Sequence, residues 1–198
     1  MVKSALQDMI RHSARRAYTA AMPAPRFQPR DVRLRDGREV HVREIRPTDE
    51  DELLQAFERL GPDDRYMRFM TATPHADVTK LRAVLASFGK EGFAITAAVP
   101  ASDGIDLVGT ASCIRTREPG EYEFAISIQP GWHGVGLGRV LMEGLVEHGR
   151  ASGVKRIMGF MLAANQPMLG LARQVGFTVV PDPHDPAARI ATLDLRAG

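Results

Sequence analysis

The feature that most constrains the fold of this chain is a glycine-rich turn, His133-Gly134-Val135-Gly136-Leu137-Gly138, between a strand pattern and a helix pattern. Before the turn, residues 121–129 alternate between apolar and polar side chains, as expected of a strand with one buried face. After it, Leu141 and Leu145 have the spacing of a buried helix stripe. Because glycine has no Cβ, successive backbone N–H groups can approach one anion at the start of a helix. The turn therefore predicts a site for an anion such as a pyrophosphate.

Two commoner nucleotide-binding motifs do not match this turn. A dinucleotide-binding fingerprint that starts at Gly136 requires a small residue where Leu141 stands, and no acidic residue follows at a strand end to bind a ribose. A P-loop that starts at Gly131 requires Lys where Leu137 stands. The interpretation that remains is a short loop whose backbone amides bind the anion.

The remaining periodicity predicts an α/β (α+β) fold, a single domain with a mixed, mainly antiparallel sheet flanked by helices. Strand patterns occupy residues 32–45 (around the turn Asp36-Gly37), 93–99, 105–115, 121–129, 156–162, 177–180 and 189–195, and helix patterns occupy residues 48–60, 78–88, 140–148 and 167–175. A length of 198 residues suits one domain. We expect a basic N-terminal extension over residues 1–30, where six basic residues (Lys3, Arg11, Arg15, Arg16, Arg26, Arg30) stand against Asp8, and the domain over residues 31–198.

Composition excludes several classes of protein. The net charge of +2 does not favour nucleic acid as a partner. No apolar stretch approaches the roughly 18 residues of a membrane-spanning helix, so no membrane association is expected. Cys113 is the only cysteine, which excludes an internal disulfide and a cysteine-rich zinc site and suits the reducing cytoplasm. Asp182, His184 and Asp185 stand in a proline-rich setting and are interpreted as a surface loop, so no metal is expected.

The glycine turn and its flanks, from Ser127 to Arg139, resemble the pyrophosphate loop of the GNAT acetyltransferase superfamily, written Gln/Arg-x-x-Gly-x-Gly/Ala. His133 stands where that family has Gln or Arg. Downstream, Asn165-Gln166-Pro167-Met168 followed by Gly176-Phe177 resembles the family's second cofactor motif, which implies that Asn165 contacts the pantetheine arm. The resemblance covers about residues 32 to 195 and implies acetyl-CoA as cosubstrate.

Within the superfamily, Arg65-Tyr66-Met67-Arg68-Phe69 and Glu123-Phe124-Ala125-Ile126 resemble bacterial protein lysine acetyltransferases of the Pat type. That resemblance implies Glu123 as the general base, since a lysine amine with an ordinary pKa near 10.4 must lose a proton before it attacks a thioester. Glu121 remains the competing base. The family's usual Tyr acid is replaced by Ala172, so the departing thiolate would take its proton from water or from no acid at all.

These patterns combine into one predicted site. Glu123 is the catalytic residue, and the residues expected to bind the cofactor are Ile126, Ser127, Ile128, His133, Gly134, Val135, Gly136, Leu137, Gly138, Arg139 and Asn165. Backbone N–H groups around Ile126 to Ile128, where the strand would splay from its neighbour, are expected to polarise the thioester carbonyl. Cys113 is expected to be a small buried side chain and not a nucleophile.

The predicted activity is direct transfer of an acetyl group from acetyl-CoA to an amine, with a protein lysine as the leading acceptor. A small-molecule amine is the alternative acceptor, and a non-catalytic acyl-CoA-binding module whose basic N-terminus docks a partner is the alternative class. The sequence leaves a homo-oligomer open.

Overall fold

The computed structural model of the protein describes residues 27–69, 77–102 and 104–196. Its eight strands are β1 (Arg30–Arg33), β2 (Glu39–Glu44), β3 (Gly92–Ala101), β4 (Gly104–Arg115), β5 (Glu121–Ile128), β6 (Arg156–Leu162), β7 (Thr178–Asp182) and β8 (Asp185–Asp194). Its five α-helices are α1 (Glu50–Arg59), α2 (Pro62–Phe69), α3 (Val78–Ser87), α4 (Leu137–Ala151) and α5 (Gln166–Gln174). The predicted N-terminal extension lies outside the described residues, except for its last four.

All eight strands form one sheet in the order β1-β2-β3-β4-β5-β6-β8-β7. Neighbouring strands are antiparallel, with the exception of the parallel pair β5 and β6. A parallel pair needs a crossover connection, and α4 supplies it between β5 and β6. The mixed, mainly antiparallel sheet predicted from the alternating patterns is confirmed.

The main core lies between the sheet and helices α4 and α5. Gly109 of β4 allows α4 to approach closely, because a Cβ there would lie 2.8 Å from Leu141 Cδ1. The predicted apolar face of β5 points into this core: Phe124 is 6% exposed, and Ile126 and Ile128 are partly buried against the same cluster. The opposite face of the sheet is covered by α1, whose Ala56 packs with Ala98 and Leu107. Strands β3 and β4 therefore contribute buried side chains to both faces of the sheet.

The region around α1 and α2 differs from its sequence pattern. No helix pattern was found between residues 60 and 78, but α2 starts at Pro62, and proline without an N–H is well suited to the first turn. Before α1, the Asp49 carboxylate accepts a hydrogen bond from the Arg46 N–H at 2.7 Å. It also forms a bidentate ion pair with the Arg43 guanidinium, at 2.7 and 2.8 Å. Arg43 and Asp49 are buried, so this pair fixes α1 to the end of β2.

The described chain begins with residues that pack into the domain. Phe27 is 5% exposed and belongs to the main core, and its N–H donates to Glu44 Oε1 at 2.7 Å. Arg30 starts β1 and forms an ion pair with Glu147 of α4 at 2.8 Å. Residues 27–30, which the sequence analysis assigned to the extension, therefore contribute to the packed domain.

We expect deletion of residues 1–26 to leave folding and acetyl-CoA affinity unchanged, because this basic segment precedes the first predicted strand at residue 32. Deletion of residues 1–30 should lower the free energy of unfolding by about 3 kcal/mol or more, since it removes the buried Phe27 ring. Urea titration and calorimetric binding of both truncations test this difference. Equal stability of the two truncations would contradict it.

Candidate active site

The sheet opens between its two parallel strands. Pairing of β5 with β6 covers only Glu121, Tyr122 and Glu123, and it ends at the pair Glu123 and Met158. On its other edge β5 stays paired with β4 as far as Ile128. Residues 124–128 of β5 thus border a gap whose apex is Glu123. The predicted splay of this strand from its neighbour is present.

The hydrogen-bond register decides which backbone groups face the gap. The Thr116 N–H donates to the Glu121 carbonyl at 2.9 Å, and the Gln129 N–H donates to the Val108 carbonyl at 3.0 Å. Odd-numbered residues of β5 therefore bond to β4, and even-numbered residues direct their N–H and C=O groups toward β6. Of the three predicted strand residues, Ile126 and Ile128 present their amides to the gap, whereas Ser127 directs its amide to β4 and cannot take the predicted backbone role.

The glycine loop closes one end of the gap and leads directly into α4. Gly134 and Gly136 have φ values of 75° and 97°, the left-handed region that side chains rarely adopt. Gly136 is the N-cap of α4; no side chain caps this end and no acidic residue stands in the first turn. The first N–H groups, from Leu137 onward, have no carbonyl partner within the helix, and the helix dipole makes this end positive. The loop has the backbone geometry and the electrostatics that an anion requires.

Three predicted cofactor residues make local contacts. His133 Nε2 lies 3.1 Å from the Ile128 carbonyl, so the imidazole donates to the end of β5. Arg139 donates to Glu143 at 2.7 Å along α4. Asn165 is the N-cap of α5, where its Oδ1 accepts from the Met168 N–H at 3.2 Å. The cap uses the Asn165 oxygen, so its Nδ2 amide is the group left to contact a ligand. Because β5 and β6 are parallel, the glycine loop and Asn165 lie at the same edge of the sheet.

Glu123 and Glu121 point to the same face of β5 but have different surroundings. The Glu121 carboxylate accepts from Thr116 Oγ1 at 3.1 Å and lies 3.5 Å from Arg156 Nη1. These contacts give Glu121 a structural role at the start of the strand. Glu123 lies at the apex of the gap, half-buried, next to the position where the strands separate. Of the two carboxylates, Glu123 is the one at the position where β5 and β6 separate.

Cys113 lies beneath the site and is fully buried in β4, as predicted. Burial raises the pKa of its thiol well above the ordinary value, and the negative charge of Glu123 acts in the same direction. A thiol held protonated at neutral pH is a poor nucleophile. The arrangement suits direct transfer to the acceptor and not an acyl-cysteine intermediate.

Within the described residues, no group of three or more His, Cys, Asp or Glu side chains is placed to hold a metal ion. Asp182 instead closes the turn between β7 and β8 by accepting from the His184 N–H at 2.9 Å. None of the helices in the described ranges is long and apolar enough to span a membrane.

The β1–β2 hairpin contacts the glycine loop, a contact that no pattern in the sequence predicted. Arg38 stacks on the Trp132 ring at 3.8 Å and donates to the Gly131 carbonyl at 2.8 Å. The Arg35 N–H donates to the Val135 carbonyl at 3.1 Å. About a hundred residues separate the partners, so no local pattern could have found these contacts; the Asp36-Gly37 turn indicated only the hairpin itself.

Gly159 of β6 packs closely against Phe124 of β5 beside the gap. A Cβ at Gly159 would lie 2.5 Å from the Phe124 ring, which packs edge-on against Phe177. We expect Gly159→Ala to destabilise the fold by about 1–3 kcal/mol, because this ring must move. Gly170→Ala in α5 is the matched control, since a Cβ there meets nothing within 4 Å, and it should stabilise slightly through helix propensity. Thermal unfolding compares the two, and a fully stable Gly159→Ala would refute the close packing.

A sheet that splits between two parallel strands, with an uncapped helix N-terminus at the edge of the split, suits the binding of an anionic cofactor at that edge. The family model described as "Acetyltransferase (GNAT) domain" matches residues 40–178. The chain belongs to this family, as the motifs predicted, and acetyl-CoA is the family's cosubstrate.

Known proteins agree with this assignment. An acetyltransferase of Pseudomonas aeruginosa is 30% identical over 162 residues, which cover 82% of this chain and 87% of the relative. The GNAT domain of S. lividans PAT superposes with a TM-score of 0.75 at 21% identity, covering 84% of this chain and 96% of that one. The ribosomal-protein-S5-alanine acetyltransferase of Vibrio fischeri superposes with a TM-score of 0.63 at 16% identity, covering 80% and 94% of the two chains. At these identities the two structures support the fold.

Proposed function

We propose that the protein transfers the acetyl group of acetyl-CoA directly to a protein lysine, with Glu123 as the general base, in the cytoplasm. The observation that carries the proposal is the position of Glu123 at the apex of the β5–β6 gap. A cofactor whose pyrophosphate binds the glycine loop would direct its arm along this gap toward that carboxylate. The residues proposed to bind it are Ile126 and Ile128 through their amides, the loop from His133 to Arg139, and Asn165.

The lysine acceptor is supported by the segment at residues 65–69, which resembles protein lysine acetyltransferases of the Pat type. This segment lies in α2, and α2 contacts both β5 and β6. Since α4 and α5 cover the other face, α2 borders the face to which Glu123 points. The Vibrio fischeri structural neighbour is named for a ribosomal protein as its acceptor, which supports a protein amine in a site of this shape.

The reaction has three steps: the amine loses a proton, it attacks the thioester carbonyl, and the CoA thiolate leaves. This chain has groups that can assist the first two. Glu123 accepts a proton from the lysine ammonium, and the neutral nitrogen attacks the thioester carbon. The N–H groups of Ile126 or Ile128 donate to the carbonyl oxygen as it gains negative charge. The nitrogen, now bonded to the acetyl carbon, loses its second proton to water, the C–S bond breaks, and the CoA thiolate leaves. Ala172, which stands where the family has its Tyr acid, is fully buried in α5 and has no acidic group to donate a proton. The thiolate therefore takes its proton from water.

A calorimetric titration with acetyl-CoA, followed by a thiol-release assay, tests the proposal. We expect binding, and release of CoA thiol with protein or lysine-peptide acceptors. Turnover with small amines alone would make the protein a small-molecule acetyltransferase. Binding without turnover against either class would identify a non-catalytic acyl-CoA-binding module.

A further inference from the structure

A cation of the β1–β2 hairpin lies directly against the glycine loop. The stem of the Arg35 side chain covers Gly136, whose Cβ position would lie 3.6 Å from Arg35 Cγ and Nε. The Arg35 N–H fixes this placement through its bond to the Val135 carbonyl at 3.1 Å. The guanidinium of Arg35 therefore lies beside Gly136, the N-cap of α4, where the first helix N–H groups have no partner within the helix.

The other arginine of the hairpin tip is already engaged. Arg38 donates to Asp36 at 2.6 Å and to the Gly131 carbonyl at 2.8 Å, and it stacks on Trp132. These contacts dock the hairpin on the loop. Within the described part of the chain, no carboxylate pairs with Arg35, which is exposed. One arginine thus anchors the hairpin, and the other keeps its charge available at the loop.

We propose that Arg35 binds a phosphate group of the cofactor, so that the β1–β2 hairpin forms one wall of the acetyl-CoA site. This inference rests on the proposed cofactor binding at the loop. A guanidinium can donate two parallel hydrogen bonds to phosphate oxygens, which a backbone loop alone does not supply. Two phosphate sources share this chemistry: the pyrophosphate, and the 3′-phosphate of the adenosine end.

The test is calorimetric binding of CoA and of dephospho-CoA, which lacks the 3′-phosphate, to the full chain. We expect Arg35→Gln to raise the Kd for CoA about tenfold, and Arg35→Lys to raise it less. An equal loss for both ligands assigns the pyrophosphate, and a loss for CoA alone assigns the 3′-phosphate. Added salt should weaken binding to the wild type more than binding to Arg35→Gln, because one ion pair is missing.

The matched control is Arg33→Gln, which removes the same charge from the same hairpin. Arg33 Nη2 lies 3.8 Å from the Cβ position of Gly37 in the turn, not against the loop. We expect this variant to bind CoA like the wild type. Wild-type affinity in Arg35→Gln, or an equal loss in Arg33→Gln, would overturn the role of Arg35 and leave the proposed function standing. If the wild type bound neither ligand, the proposed function and this inference would fail together.

Discussion

Glu123→Gln is expected to lower kcat about 10²- to 10⁴-fold, the range typical of general base catalysis. Glutamine keeps the size and the hydrogen-bonding capacity of the side chain but cannot accept the proton of the attacking lysine. Acetyl-CoA affinity should hardly change, because the loop and the β5 amides are untouched. Raising the pH should partly restore turnover, since more of the acceptor amine is then already neutral and needs no base.

Glu121→Gln is the control on the same face of the strand. Its carboxylate holds Thr116 and lies near Arg156, so its loss should cost some stability and leave turnover near that of the wild type. Steady-state rates of both variants over a range of pH decide between the two carboxylates. Full activity of Glu123→Gln at neutral pH would remove Glu123 from the mechanism, and inactivity of Glu121→Gln alone would move the base two residues along β5.

Gly136→Trp is expected to abolish measurable acetyl-CoA binding. The indole would occupy the space over the loop N–H groups that the pyrophosphate needs. It would also displace the Arg35 stem, which already lies 3.6 Å from the Cβ position. The φ of 97° at Gly136 adds backbone strain of about 1–2 kcal/mol for any side chain, so part of the effect will appear as lost stability.

Gly89→Trp is the control for Gly136→Trp, because it introduces backbone strain without obstructing the glycine loop. Gly89 also has a left-handed φ, 84°, and a Cβ there meets nothing within 4 Å, but it stands in the turn before β3, in a different part of the fold. Both variants should lose similar stability in urea titration, and only Gly136→Trp should lose the cofactor in calorimetry. Retained binding in a folded Gly136→Trp would show that the loop is not the phosphate site.

The elements predicted with the best accuracy were those with a strong local period. Strand β6 was predicted with its observed bounds, and the alternation along β5 correctly placed Phe124, Ile126 and Ile128 on the buried face. Helix α2 was missed, because Gly61-Pro62 carries a stop signal for one helix and a start signal for the next. A short helix after such a pair has too few turns to show a clear stripe.

Some features of the candidate site follow from the local sequence, and others depend on contacts between distant residues. The glycine loop is a local property of the chain, because turns in the left-handed region favour glycine. The face of β5 to which Glu123 points is local too, because strand side chains alternate between the two faces. The packing of Phe124 over Gly159 beside the gap is not local, because the two residues stand 35 apart in the printed sequence. The register of β5 against β4 then decides that Ile126 and Ile128, and not Ser127, turn their amides to the gap.

The family, the mixed, mainly antiparallel sheet and the glycine turn before a helix were all predicted from the sequence. All of these follow from periodicity, glycine and motif spacing within a few tens of residues. Three contacts could be found only in the tertiary structure. The Glu121 carboxylate contacts Thr116 and Arg156, and Phe27 packs in the core. The β1–β2 hairpin places Arg35 against the glycine loop. The physical reason is that side-chain contacts between distant segments depend on how the sheet brings them together, and no spacing along the chain records that.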